Sequence, residues 1–197
     1  KEIAKTGKYD ILPVSCEILS DFITPIEAMR ILQNVSTHCY LLESAQANEA
    51  WGRYTFLGYD PKLEINCIDG HMKLGKLSVE TENPSEYIRQ ILSEYKSPKF
   101  DYLPSFTGGL VGYFSYDYLG YKEKSIRGKA KDTEDFKDVD LMLFDKVIAF
   151  DNLCQKIILI ANMPLDAPET GYNKAIVELK QLRELLMHGE KKQNMGG

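Results

Sequence analysis

The chain has 197 residues, of which 44% are hydrophobic and 27% are charged, a composition typical of a folded globular protein and not of a disordered or fibrous one. Its 24 basic and 29 acidic side chains give a formal net charge of −5, so the basic surface that neutralises nucleic-acid phosphates is missing. No apolar run approaches the roughly 18 residues of a membrane span, and the polar N-terminus lacks the apolar core of a signal peptide. We therefore expect a cytoplasmic protein with neither a nucleic-acid nor a membrane partner.

The first predicted elements are an edge strand and a helix. Residues 9–19 favour a strand but contain Pro13, which cannot donate to a central ladder, so we expect it at a sheet edge. Thr24, Pro25 and Glu27 then form the signature of a capped helix start. The predicted apolar stripe of this helix is Ile26, Met29, Leu32 and Val35.

Three segments rich in β-forming residues follow this helix, at 38–43, 53–59 and 62–68. Asp69-Gly70 tolerates the positive φ angles of a type I′ turn. We therefore expect residues 62–68 to pair with 71–74 as a hairpin.

A second helix is predicted from about residue 84 to 95, because Asn83, Pro84 and Glu86 repeat the start signal. Its predicted apolar face consists of Tyr87, Ile88, Ile91, Leu92 and Tyr95.

A second hairpin is predicted between residues 141–150 and 155–161, across Asp151-Asn152. Residues 157–160 are apolar on both faces, which predicts that both faces of that strand are covered.

The remaining segments of the C-terminal half are predicted to form a solvated loop, a long helix and a flexible tail. Residues 169–188 form the helix, and residues 122–140 segregate basic from acidic side chains as in a solvated loop. Residues 191–197 are expected to form a flexible tail. The helix stripe consists of Tyr172, Ile176, Leu179, Leu182 and Leu186, and the chain contains no internal repeat.

The sequence contains no local catalytic or metal-binding motif, so it predicts no catalytic residue, no metal site and no cofactor in this chain. No two cysteines form a C-x-x-C pair, and we interpret all four as reduced core or strand residues. They are Cys16, Cys39, Cys67 and Cys154.

Gly108, Gly109 and Gly112 form the densest glycine cluster, but they do not match the spacing of a dinucleotide-binding turn. They favour a close backbone approach or a bulge within a strand.

Leu42, Glu43 and Ser44 end an apolar strand. A carboxylate and a hydroxyl beside leucines could bind an ammonium group and cover an apolar side chain. The alternative is a strand that simply turns polar as it leaves the core, and spacing alone favours that alternative. Trp51 and Arg53 are likewise expected to have structural roles.

Three stretches together resemble the N-terminal region of the anthranilate synthase component I family. They are Leu-Leu-Glu-Ser at 41–44, Trp-Gly-Arg-Tyr-Thr-Phe-Leu-Gly-Tyr-Asp-Pro at 51–61, and Phe-Thr-Gly-Gly-Leu-Val-Gly-Tyr-Phe-Ser-Tyr-Asp at 106–117. The resemblance runs in order from about residue 9 to 161. Aminodeoxychorismate synthase component I shares this region, but the first two stretches fit the tryptophan branch better.

The resemblance implies part of a lyase that converts chorismate and glutamine to anthranilate, pyruvate and glutamate with a glutamine amidotransferase subunit. Residues 1–190 would be its single N-terminal regulatory domain. The chorismate-binding catalytic domain, which holds Mg²⁺ in the family, is absent from this chain, so the chain alone is expected to be inactive. Feedback inhibition by L-tryptophan is implied at Leu42, Glu43 and Ser44.

The resemblance also implies an α+β fold, with antiparallel sheets in a sandwich-like arrangement and flanking helices. The side that meets the catalytic domain would be apolar, so copies of the chain are expected to self-associate. Two alternatives stay open: the N-terminal part of aminodeoxychorismate synthase component I, and a free-standing amino-acid-binding or interaction module.

Overall fold

A computed structural model describes residues 2–43, 52–115, 118, 121 and 137–190. The chain divides into two compact units, each with one five-stranded antiparallel sheet. Unit 1 contains residues 1–60, 95–108 and 145–197, and unit 2 contains residues 61–94 and 109–144. The predicted α+β class with antiparallel sheets is therefore confirmed.

The helices are α1 (Glu2–Lys5), α2 (Pro25–Val35), α3 (Pro84–Ser93) and α4 (Pro168–His188). The strands are β1 (Ile11–Leu19), β2 (Cys39–Glu43), β3 (Tyr54–Tyr59), β4 (Leu63–Ile68), β5 (His71–Leu74), β6 (Leu77–Glu80), β7 (Gly109–Phe114), β8 (Val139–Phe144), β9 (Lys146–Asp151) and β10 (Lys156–Pro164). None of these helices is long and apolar enough to cross a membrane. The predicted tail at 191–197 lies outside the described residues.

The sheet of unit 1 has the order β1-β10-β9-β3-β2, so β1 with Pro13 is an edge strand as predicted. The interior strand β10 is buried from Ile157 to Met163, which confirms that both of its faces are covered. Side chains of α2 and α4 share one core with the sheet, including Leu32, Leu57 and Leu182.

The start of α2 is as predicted, but its buried face is only partly so: Leu32 is buried and Met29 packs against the core. Thr24 and Glu27 form a reciprocal capping box. The buried residues are Ala28, Ile31 and Leu32, whereas Ile26 and Val35 from the predicted stripe are 59% and 53% exposed. The small Ala28 side chain lets the helix approach the sheet, and packing against the sheet selects the face.

Small residues also set the contact made by α4. The predicted Leu179, Leu182 and Leu186 are buried, but Tyr172 is half exposed. In the first half of the helix the buried positions are Gly171 and Ala175. A Cβ on Gly171 would lie 2.6 Å from the Pro164 carbonyl oxygen, so the helix can approach β10 there only because that residue has no side chain.

The single strand predicted at 141–150 is wrong, because it is two strands that belong to different sheets. The break falls at Asp145, whose carbonyl accepts from both the backbone N–H and the side-chain amide of Asn162. That amide also donates to the Thr107 carbonyl. A continuous β-forming run carries no local signal for such a change of sheet. The hairpin between β9 and β10 is as predicted.

The sheet of unit 2 has the order β6-β5-β4-β8-β7. Asp69 and Gly70 have φ angles of 47° and 85°, which confirms the predicted hairpin turn. Helix α3 packs through Ile88, but Leu92 of the predicted face is 44% exposed. The Asn83 side chain makes no capping hydrogen bond.

Two further differences concern strands β6 and β8 of unit 2. Strand β6 was not predicted. Val139 and Asp140 belong to β8, so the predicted loop at 122–140 extends two residues too far. Residues 122–136 lie outside the described part of the chain.

Candidate functional site

The predicted ligand-binding residues lie at the end of the edge strand β2. Leu42 and Glu43 are its last two residues and both are exposed, whereas Ser44 lies outside the described residues. Phe56 of β3 stands opposite Leu42, and Thr55 stands opposite Glu43. Because Phe56 and Thr55 are buried, Leu42 and Glu43 supply accessible surface at this end of the sheet.

Leu42 and Glu43 are on opposite faces of the sheet, because successive side chains of a strand alternate. Glu43 shares its face with Leu41, which packs against the core beneath α2. Leu42 shares the other face with the buried Tyr40. A ligand that contacts both Leu42 and Glu43 must therefore lie across the end of the strand and not over one face.

Four aromatic rings cluster on the Leu42 face of the sheet. The rings of Tyr54 and Phe56 stack with centroids 5.8 Å apart. Phe106 packs edge-on against Phe56 at 5.4 Å and against Tyr40 at 6.3 Å. Burial raises the pKa of the Tyr40 hydroxyl above its ordinary value, so this ring is neutral at physiological pH. The cluster makes the surroundings of Leu42 apolar and suited to an aromatic or aliphatic side chain.

A charged pair fixes the start of β3 beside this cluster. Arg53 Nη2 donates to Asp151 Oδ2 at 3.3 Å, and the guanidinium lies 4.8 Å from the centre of the Tyr54 ring. The Asp151 side chain is only 1% exposed, and its Oδ1 accepts from the backbone N–H groups of Leu153 and Cys154. Burial works to raise the pKa of Asp151, but the hydrogen bonds from Arg53 and Cys154 outweigh burial and hold that pKa below its ordinary value of 3.8.

Asn152 completes this polar network. Its backbone N–H donates to the Arg53 carbonyl at 2.7 Å. Its side-chain amide donates to the Gly52 carbonyl at 2.8 Å and to Thr55 Oγ1 at 3.2 Å. Arg53 thus has the structural contacts that the sequence predicts for it, while Trp51 lies outside the described residues.

The glycine cluster has a backbone role, as predicted. Gly112 has a φ of +152°, and a Cβ at this position would clash with the Asp140 carbonyl oxygen on β8. Gly108 and Gly109 also have positive φ angles, at the point where β7 begins. Gly112 therefore allows β7 and β8 to approach closely, and Gly108 and Gly109 allow the backbone conformation at the start of β7.

All four cysteines are free. Cys16, Cys39 and Cys67 lie in strands, as predicted. Cys154 is exposed in the turn between β9 and β10, so the prediction of a core or strand position is wrong for it. Where the structure describes the chain, no three His, Cys, Asp or Glu side chains are grouped to bind a metal ion.

A cavity of about 770 Å³ lies in unit 1 away from the end of β2. It is bordered by α1, by the start of β1 and by the first turn of α4, and its lining includes Ile3, Leu12 and Tyr172. Leu42 and Glu43 do not line it, so the predicted ligand-binding residues and this cavity are separate features.

Anthranilate synthase component 1 proteins are similar to the chain over almost its whole length. The chain is 35% identical over 186 residues to the protein of that name from Pseudomonas aeruginosa, and 32% identical over 184 residues to that from Acetivibrio thermocellus. Each match covers 90% of this chain and 37% of the relative. No protein-family model matches the chain.

A solved structure agrees with these sequence matches. Anthranilate synthase component I from Streptococcus pneumoniae matches the fold with a TM-score of 0.53 and 25% identity, over 84% of this chain and 36% of that one. The chain therefore spans little more than a third of the length of these relatives. From the sequence matches and the shared fold together, the chain is a homologue of the N-terminal portion of anthranilate synthase component I.

Proposed function

We propose that the chain is the tryptophan-sensing N-terminal part of an anthranilate synthase component I. The observation that carries this proposal is the similarity to proteins of that name over 90% of the chain. With a glutamine amidotransferase subunit, the complete enzyme would convert chorismate and glutamine to anthranilate, pyruvate and glutamate in the cytoplasm.

In this proposal the chain regulates the reaction and does not catalyse it. Residues 1–190 form the regulatory domain, and the portion of the enzyme that this chain does not span contains the chorismate-binding domain and its Mg²⁺ site. The purified chain should then form no anthranilate from chorismate, ammonia and Mg²⁺. Measurable turnover by the chain alone would contradict this division.

The proposed tryptophan site lies across the end of β2. Glu43 would accept hydrogen bonds from the ligand's ammonium group, and Ser44 would offer its hydroxyl to the polar end of the ligand. Leu42 and the aromatic cluster beside it support an apolar contact with the indole ring. Since the rest of the pocket would come from the catalytic domain, we expect weak tryptophan binding or none to the chain alone.

The test uses Glu43→Gln and Ser44→Phe in a complete enzyme that carries this chain. Loss of one charge-assisted hydrogen bond costs about 1.5–3 kcal/mol, so the tryptophan concentration for half-inhibition should rise roughly tenfold or more. Activity without tryptophan should change little. Glu80→Gln is the matched control, because it removes an exposed carboxylate from a strand of unit 2.

Three outcomes separate this proposal from its alternatives. Normal tryptophan sensitivity in both variants would remove Glu43 and Ser44 from the site. Parallel losses of activity and thermal stability would mean that the pair only ends a strand. A complete enzyme that makes aminodeoxychorismate and ignores tryptophan would belong to the folate branch.

A further inference from the structure

The end of β2 depends on β3 for its position. In the described part of the chain β2 is an edge strand, and β3 is the strand that it pairs with. Leu42 and Glu43 are in register with Phe56 and Thr55, close to the first residue of β3. A displacement of the start of β3 would therefore move the backbone that carries Leu42 and Glu43.

The start of β3 is in turn held by the turn between β9 and β10. Asn152 alone makes three hydrogen bonds to this segment, to the carbonyls of Gly52 and Arg53 and to the hydroxyl of Thr55. Two of them come from its side-chain amide, which is therefore the one group in the described network that contacts both Gly52 and Thr55. Thr55 is the register partner of Glu43.

We propose that Asn152 is a positioning residue for the tryptophan response. Its amide holds Gly52 and Thr55 together, and thereby fixes where Glu43 stands at the open edge of the sheet. This inference rests on the proposed tryptophan site, and it adds a residue from the other side of β3 that does not touch the ligand.

The exposure of Asn152 separates this role from a purely structural one. Asn152 is exposed, whereas the neighbouring Asp151 is buried and pairs with Arg53. The amide bond to the Gly52 carbonyl is exposed, so water can replace it, and only the bond to the hydroxyl of the buried Thr55 is partly shielded from water. Substitution of Asn152 should consequently alter the local geometry of the strand end more than the stability of the fold.

The experiment places Asn152→Asp in the complete enzyme and measures tryptophan inhibition, activity without tryptophan and the thermal midpoint. Aspartate keeps the size of the side chain but loses the amide donor. The tryptophan concentration for half-inhibition should rise roughly three- to tenfold, the factor of one ordinary hydrogen bond, while kcat/KM for chorismate stays unchanged. Asn152→Gln, which retains the amide, should restore part of the sensitivity.

Lys156→Gln is the matched control. It breaks the 2.8 Å pair between Lys156 and Glu17 at the same end of the sheet, without a hydrogen bond to Gly52 or Thr55. Equal shifts in Lys156→Gln and Asn152→Asp would overturn the proposal, as would normal inhibition of Asn152→Asp in an enzyme that Glu43→Gln desensitises. If Glu43→Gln also leaves inhibition normal, it is the tryptophan site itself that fails.

Discussion

Unit 1 and unit 2 build their sheets in the same order from different segments. In unit 1, α2 leads to the edge strand β2 and its neighbour β3, and the chain then leaves for β4. In unit 2, α3 is followed, after residues 95–108 of unit 1, by the edge strand β7 and its neighbour β8, and the chain then leaves for β9. The order β2-β3-β9-β10-β1 thus corresponds to β7-β8-β4-β5-β6. Since the sequence shows no internal repeat, the correspondence is visible only in the topology.

Both units tie the start of their second strand to a neighbouring hairpin turn with an aspartate, but they use different residues. In unit 1, Asp151 at the turn pairs with Arg53 ahead of β3. In unit 2, Asp138 ahead of β8 accepts from the Asp69 backbone N–H at 2.8 Å and from the Tyr121 hydroxyl at 2.7 Å. The two units therefore hold equivalent strand starts with different residues and different hydrogen bonds.

The ends of the corresponding edge strands differ in their chemistry. Strand β2 ends with Leu42 and Glu43, a leucine and a carboxylate, whereas β7 ends with Tyr113 and Phe114, which are 44% and 50% exposed. The ends of β2 and β7 therefore occupy corresponding, accessible positions in their sheets. Of these two pairs of side chains, only that of β2 includes a carboxylate, the group that the proposed tryptophan site requires.

The largest effect on stability is expected at a position where the corresponding strands β2 and β7 differ. Leu41 of β2 corresponds to Gly112 of β7, counted from the strand ends, and at Gly112 a side chain would clash with the Asp140 carbonyl oxygen. Gly112→Val should lower the free energy of unfolding by about 4 kcal/mol or more, because backbone must move to admit the side chain. Urea denaturation followed by circular dichroism measures this. The control Leu41→Val should cost less than about 1.5 kcal/mol, and a similarly small loss for Gly112→Val would contradict the close approach.

A smaller effect on stability is expected at Asp151, the aspartate that holds the start of β3 in unit 1. Asp151→Asn should lower the free energy of unfolding at pH 7 by about 2 kcal/mol, since hydrogen bonds to a charged group are lost. The folded-state pKa of Asp151 lies below its ordinary value of 3.8, so the unfolded chain binds more protons near that pH. The stabilisation is therefore complete above about pH 5 and is lost as the pH falls through 3.8 and below. The difference between the unfolding free energies of the two proteins should shrink as the pH falls from 7 to 3, and a constant difference would show that ionisation of Asp151 is irrelevant.

The smallest effect distinguishes the helices that precede the two edge strands. Thr24 caps α2 through a reciprocal capping box with Glu27, whereas the Asn83 side chain makes no capping hydrogen bond to α3. Thr24→Ala should cost about 1 kcal/mol, and Asn83→Ala only a few tenths. Thermal midpoints of the two variants test this, and equal shifts would mean that the side-chain hydrogen bonds at Thr24 contribute nothing.

Local patterns predicted many of the elements but not their faces. The capping signature of Thr24-Pro25 and the turn at Asp69-Gly70 operate over a few residues, so the sequence places both correctly. The buried face of α2 depends on how closely Ala28 approaches the sheet, which spacing alone does not encode. For the same reason the stripe of α4 is correct at Leu182 and wrong at Tyr172.

The candidate site follows from the resemblance of the sequence motifs to a known family, and not from the spacing or chemistry of the residues alone. Spacing around Leu42 and Glu43 favours an ordinary strand end, and only the resemblance over three stretches assigns tryptophan to it. The structure adds the opposite orientation of the two side chains and the edge position of β2, and it places Phe106 beside Phe56, 50 positions apart in the sequence.

The sequence by itself determined the composition class, the starts of α2, α3 and α4, the hairpin turns after β4 and β9, and the family, because each depends on neighbouring residues or on ordered motifs. The tertiary structure decided which sheet each strand joins, which helix faces are buried and which groups fix the end of β2. The division of residues 139–151 between two sheets depends on Asn162, and the position of Glu43 depends on contacts of Asp151 and Asn152 about 100 residues away. Such long-range contacts form only when the chain folds, because the free energy of burial depends on which surfaces meet.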